Sequence, residues 1–127
     1  MGLLEKSEEN KRVARECLEM KTYNAGISRA YYAAFQRAEY HLRTSGVFRY
    51  QAYLVKNGVE NHISHGKMQS ALVDCLIREK KRVKPREINV FDELYRKRRL
   101  ADYSDQMFGE LDLKICLTDL DIILAVM

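Results

Sequence analysis

The chain has no tryptophan, one proline (Pro85) and only six glycines among its 127 residues. So few turn-forming residues argue against many short strands joined by tight loops and favour long, uninterrupted helices. Three cysteines, Cys17, Cys75 and Cys116, are odd in number, far apart and without a CxxC spacing. Their spacing suggests neither a disulfide framework nor a zinc site, and a reducing cytoplasm is the expected compartment; no cofactor or metal is expected. No apolar run approaches the eighteen or so residues of a membrane span, and the opening MGLLEKSEENKR is charged almost at once, so neither membrane insertion nor export is expected. Gly2 stands where a myristoylation start would, but the residues after it do not support one. Length alone allows one domain with a core that folds unaided, read here as residues 1–127.

The net charge of +4 is unevenly spread. From Arg78 to Arg99, in REKKRVKPREINVFDELYRKRR, ten Lys/Arg stand against four Asp/Glu, whereas Ala101 to Met127 carries six acids and one lysine. A solvated face and an anion-binding face explain such clustering about equally well.

Periodicity predicts an all-α antiparallel bundle of four to five helices. The first, about Leu3 to Lys21, places Leu4, Val13, Cys17 and Met20 near one face. The second, with Asn24 or Ser28 as cap, carries Ile27, Tyr31, Ala34, Ala38 and Leu42 as an inward stripe. Alanines 30, 33, 34 and 38 allow close helix approach, so this helix is expected at the centre. Thr44-Ser45-Gly46 ends it, and a long connection follows with one short helix around Tyr50 to Lys56. A third helix spans about Ser64 to Lys80, with Met68, Ala71, Leu72, Cys75 and Leu76 on one face. The fourth, about Glu87 to Tyr103, has Val90, Phe91, Leu94 and Arg98 along one side. The last, from Met107 onward, repeats Leu113, Leu117, Leu120, Leu124 and Met127 with Phe108, Ile115, Ile122 and Ile123 beside them, an apolar surface wide enough to need covering from two directions. Burial within one chain and sharing with a second copy both satisfy it.

The residues with most chemical potential are SRAYYAAF (Ser28–Phe35), HISHG (His62–Gly66) and RRLADYSD (Arg98–Asp105). A buried tyrosine ordinarily packs its ring and finds an acceptor for its hydroxyl. In their order, however, the three segments resemble the small stand-alone HEPN (higher eukaryotes and prokaryotes nucleotide-binding) family, over about Leu3 to Ala125. The resemblance implies a helical bundle, often a homodimer, among whose members are metal-independent ribonucleases of toxin–antitoxin, phage-defence and CRISPR systems. It also implies RNA or a nucleotide as ligand, with a cognate antitoxin or nucleotidyltransferase as protein partner. The family's nuclease site is R-x(4–6)-H, completed across the dimer, which supplies a proton acceptor, a proton donor and cations for the charged phosphorus centre.

That motif is absent here. His41, His62 and His65 have no arginine at the required offsets, and no histidine follows residue 65. The resemblance therefore directs attention to Arg99, Asp102 and Tyr103 as candidate catalytic residues, with His65 joining them if the long connection folds back. Arg29, Tyr32, Arg96, Arg98, Lys81 and Arg82 are the candidate RNA- or nucleotide-binding residues, and Tyr95 and Tyr103 could stack on bases. Asp102 is expected to receive Arg29 or Arg99 in a charge-assisted pair, with Tyr32 and Tyr103 closing the network. His62 and His65 have an i, i+3 spacing that would also suit a metal, though a helix start capped by Ser64 is the simpler reading. Three functions follow: an RNA- or nucleotide-directed component of a prokaryotic toxin–antitoxin or defence system, a non-catalytic module that binds a protein partner, and a small helical regulator.

Overall fold

The structure, a computed structural model, describes residues 2–58 and 61–127. Within them the chain is all helical, with six α-helices: α1 (Leu3–Glu19), α2 (Tyr23–Thr44), α3 (Tyr50–Lys56), α4 (Met68–Arg78), α5 (Pro85–Tyr103) and α6 (Glu110–Ala125). A single 3₁₀ turn, His65–Lys67, precedes α4. The short helix expected in the long connection is α3, and the other five are the helices of the expected all-α bundle. The third helix begins later than its periodicity suggests because His65–Lys67 winds more tightly.

Two helix ends are closed by lysines in the left-handed conformation, Lys21 (φ 58) and Lys80 (φ 59). At each, paired bonds of the Schellman type satisfy the last carbonyls: Thr22 N–H to Cys17 O (3.0 Å) with Lys21 N–H to Leu18 O (3.4 Å), and Lys81 N–H to Leu76 O (3.0 Å) with Lys80 N–H to Ile77 O (2.9 Å). The first of these turns the chain directly from α1 into α2, so the two helices pack as an antiparallel pair. The expected caps of α2 serve elsewhere. Thr22 occupies the cap position without a side-chain bond, Asn24 binds the α5–α6 connection and Ser28 binds Asp102. Ser64 likewise makes no side-chain cap for the turn it precedes. α5 opens with Pro85 at its first position, where a missing N–H costs nothing, and the Lys84 N–H donates to the Glu87 carboxylate at 2.9 Å.

Helix α2 is the centre of the bundle, packed against α1, α4, α5 and α6. Ile27, Ala30, Tyr31, Ala33, Ala34, Ala38 and Leu42 are all fully buried. Each large member of that stripe contributes roughly 1.5–3 kcal/mol by leaving water. Its alanines let α1 come close enough for the Ser7 hydroxyl to donate to the Ala33 carbonyl at 2.6 Å. Gly26 marks the tightest contact: a Cβ there would lie 2.7 Å from Leu113 Cδ2 and 2.9 Å from Cys17 Cβ. Three helices therefore meet at one missing side chain.

α6 buries Leu113, Cys116, Leu120 and Ile123 and half-buries Leu117 and Leu124, and Met127 just beyond its end is half-buried too. Its first turns leave Leu111 and Ile115 exposed, as are Met107 and Tyr103 earlier in the chain. Met20, expected on the inner face of α1, is also exposed, because it lies in the turn that ends that helix. No helix among the described residues is long and apolar enough to cross a membrane.

Candidate functional site

The inward stripe of α5 runs Ile88, Phe91, Leu94 and then Arg98, which is only 8% exposed. Helical spacing carries this arginine into the core against α2, where its charge must be met by polar partners or aromatic faces. Both are present. Arg98 Nη2 donates to the Tyr32 hydroxyl at 2.5 Å and, more weakly, to the Tyr103 hydroxyl at 3.4 Å. Its Cζ lies 5.6, 5.0 and 5.2 Å from the ring centres of Tyr31, Tyr32 and Tyr103. Nε is 3.0 Å from Asp102 Oδ2, but its N–H is not aimed at that oxygen, so the pair is held by charge rather than by a formed hydrogen bond. The Ser28 hydroxyl donates to the same oxygen at 3.1 Å, tying α2 to the end of α5. Burial works against the guanidinium's charge, yet Tyr32, Tyr103 and Asp102 outweigh it and its pKa is raised. Arg98 is a fixed cation.

His65 reaches the same cluster through Tyr31 and Tyr32. The fold-back that delivers it is built from Glu39 and Tyr50: the Tyr50 hydroxyl donates to Glu39 Oε1 at 2.5 Å and accepts the Ile63 N–H at 3.1 Å. With Ile63 buried, His65 is set two residues later on the face of α2. Its ring stacks on Phe35 (4.3 Å between centres, 26°) and lies parallel to Tyr95 (6.2 Å, 4°). Nδ1 is 2.6 Å from the hydroxyl of fully buried Tyr31.

Burial pushes the Tyr31 pKa far up, so its proton stays in place. Burial also lowers the His65 pKa, as do the neighbouring charges of Arg98 and His62, and the imidazole is neutral at pH 7. The arrangement that satisfies both groups has the Tyr31 O–H donating to Nδ1 and the remaining ring proton on Nε2. In that tautomer His65 presents an N–H, suited to binding an oxygen. To act as a base it would have to exchange tautomers and leave the Tyr31 proton unpaired.

The convergence of Ser28–Phe35 with Arg98–Tyr103, and of His65 with both, matches the sequence expectation. The identity of the central cation does not. Asp102 meets Arg98 and Ser28, not Arg29 or Arg99. Arg29 turns the other way, donating to Asn10 Oδ1 at 3.1 Å on α1. Arg99 is one residue past the inward stripe and is exposed, with its Cζ 5.8 Å from the Tyr95 ring centre. Arg96 is exposed and paired with Glu93 at 2.8 Å.

Lys81 and Arg82 precede the other end of α5, roughly 20 Å along the helix axis from Arg98 at about 1.5 Å per residue. They do not form one groove with the Arg98 end. Lys81 instead contacts Glu79 (3.7 Å) and the Met127 carbonyl (3.2 Å). His62 is exposed while His65 turns inward, so their i, i+3 spacing builds no shared metal position.

The sequence reading missed the positioning group Glu39–Tyr50, whose partners are 11 residues apart with no motif to announce them. It also missed the contact of His41 with Glu79, where Nε2 and Oε1 are 2.8 Å apart. Fold and site together define an all-α bundle with a charged arginine and a neutral histidine held among aromatic rings between α2 and α5. No known family model matches the chain, and no curated protein matches it.

Proposed function

We propose that the chain is a HEPN-like component of a prokaryotic toxin–antitoxin or phage-defence system, and that it binds RNA or a nucleotide at the Arg98–His65 end of the bundle. Two kinds of observation support this reading. Three motifs stand in the family's order along the chain, and their side chains converge in space. The single observation that carries the binding site is Arg98, a cation kept charged among Tyr32, Tyr103 and Asp102. Among the described residues no acceptor engages its Nη1. Tyr103 is 73% exposed at the rim and offers a face on which a base can stack, and exposed Arg99 adds a second cation for phosphate.

Binding is favoured over cleavage because His65, with Nδ1 occupied by Tyr31, offers a hydrogen-bond donor rather than a base. The Asp102 carboxylate is already engaged, by the Arg98 guanidinium and the Ser28 hydroxyl.

Fluorescence anisotropy with a short single-stranded RNA and with ATP, at two salt concentrations, tests the reading. Affinity should fall steeply with salt, and Arg98→Lys or Tyr103→Ala should each weaken it about fivefold or more, since one stacked base is worth about 1–3 kcal/mol. Binding that ignores both variants, or no binding at all, refutes the site. RNA products formed in EDTA and lost in His65→Ala and Arg99→Ala would establish a metal-independent endoribonuclease instead.

A second reading, a non-catalytic module that binds a nucleotidyltransferase, antitoxin or other defence subunit, draws on a different feature. Tyr103, Met107, Leu111 and Ile115 are 73%, 82%, 69% and 41% exposed, and large exposed apolar side chains suit a protein surface, including that of a second copy in a homodimer. Copurification with the product of a neighbouring gene, without RNA binding, would favour it.

A further inference from the structure

At the far end of α2 from Arg98, His41 comes beside Cys75 and Glu79 of α4's last turn and cap. Cys75 and Glu79 are four residues apart and so share one face of that helix. The ligand atoms of the three side chains lie within 4.8 Å of one another. We propose that His41, Cys75 and Glu79 form a zinc site that fastens the end of α2 to the end of α4.

The donor set is the first argument. An imidazole nitrogen, a thiolate and a carboxylate are the three side-chain ligand types zinc takes, and one thiolate with one carboxylate would cancel the ion's charge, as a largely buried site requires. Geometry is the second. Bonds of about 2.0–2.3 Å in a tetrahedron put ligand atoms about 3.3–3.8 Å apart. His41 and Glu79, now 2.8 Å apart, would open slightly, and the sulfur would close by about 1.5 Å or less.

A third argument is the support around the ligands. The Ser45 hydroxyl donates to Glu79 Oε2 at 3.1 Å and fixes the carboxylate's rotation, leaving Oε1 toward His41. His41 and Glu79 side chains are 12% and 17% exposed while Cys75 is fully buried. The ion therefore has an entry path on the imidazole and carboxylate side, and a water can complete its fourth position. Lys81, 3.7 Å from Glu79 Oε1, is an exposed cation that the metal would displace from the carboxylate. On binding, the Cys75 thiol loses its proton to bulk water and the sulfur–zinc bond takes its place. The ligands come from two helices 34 to 38 residues apart, which is why cysteine spacing gave no sign of them.

The test is titration of the purified chain with Co²⁺ and Zn²⁺ in a reductant that does not chelate metal. One Co²⁺ per chain should give the near-ultraviolet thiolate charge-transfer band and the strong visible bands of tetrahedral cobalt, both removed by one equivalent of Zn²⁺. Free zinc at about 100 times its Kd should raise Tm by roughly 8–14 °C. Cys75→Ser should abolish the thiolate band, and His41→Gln, which can keep the hydrogen bond to Glu79, should weaken Co²⁺ binding by about 100-fold or more. Circular dichroism confirms that each variant folds. Absence of the thiolate band in the parent chain would overturn the proposal and leave His41–Glu79 as a plain hydrogen bond. So would a band that persists in Cys75→Ser, or Co²⁺ affinity unchanged in His41→Gln.

Discussion

Replacing Tyr32 by phenylalanine removes one oxygen atom and keeps the ring, so it isolates the hydrogen bond that holds Arg98. That bond is charge-assisted and lies beside a guanidinium only 8% exposed. Hydrogen bonds to charged groups contribute about 1.5–3 kcal/mol, and water cannot easily replace the lost hydroxyl here. At roughly 3–5 °C of Tm per kcal/mol for a chain of this size, the loss corresponds to a drop of roughly 5–15 °C.

Asp102→Asn perturbs the same guanidinium from its other side. The Asp102 side chain is 29% exposed, so solvent screens the pair and the single change should cost only about 0.5–1.5 kcal/mol. Because both residues act on one cation, the double variant should depart from additivity by at least about 0.5 kcal/mol. Urea unfolding followed by circular dichroism, with the m value unchanged across the set, measures all four corners of the cycle. Additivity within about 0.3 kcal/mol, or a Tyr32→Phe variant as stable as its parent, would show that Arg98 is not the shared anchor of α2 and α5.

Gly26→Ala should destabilise the chain by about 1–3 kcal/mol in the same unfolding assay, since a methyl there would press on Leu113 and Cys17 from two other helices; an unchanged midpoint would mean that the three-helix contact is loose. The His65 pKa is lowered in the folded state, chiefly by burial. Below an unfolded value of about 6.5 the unfolded chain binds more protons, so this residue's contribution is complete above that pH and is lost on acidification toward the folded pKa. His65→Phe should flatten the fall in stability between about pH 6.5 and the folded pKa, while lowering stability at neutral pH by about 1–3 kcal/mol because Tyr31 loses its acceptor. An identical pH slope in the variant would contradict the half-buried, neutral imidazole.

The helices and the central place of α2 were legible because they depend on local spacing. Ile27, Tyr31, Ala34, Ala38 and Leu42 recur at helical intervals, and every one is fully buried. The cluster was half legible. Phe91, Leu94 and Arg98 share one stripe, so periodicity already singled out Arg98 as the inward arginine; the family's motif drew attention to Arg99 instead, one position and about 100° further around the helix. Arg29 failed for the same geometric reason, lying on the side of α2 that meets α1. The Glu39–Tyr50–Ile63 bonds that bring His65 home, and the meeting of His41 with Glu79, depend on tertiary placement and left no periodic trace.

Asn24 carries a consequence for how the chain becomes native. Its carboxamide donates to the carbonyls of Ala101 (3.3 Å) and Gln106 (2.9 Å) and accepts the Phe108 N–H (2.8 Å). The stretch between α5 and α6 thus borrows its shape from a side chain 77 to 84 positions earlier. Such a clasp closes only after both halves of the chain have met, so the crossing from α5 to α6 settles late in folding. Protease cutting between Ser104 and Gly109 is accordingly a gauge of whether the first turn of α2 has docked.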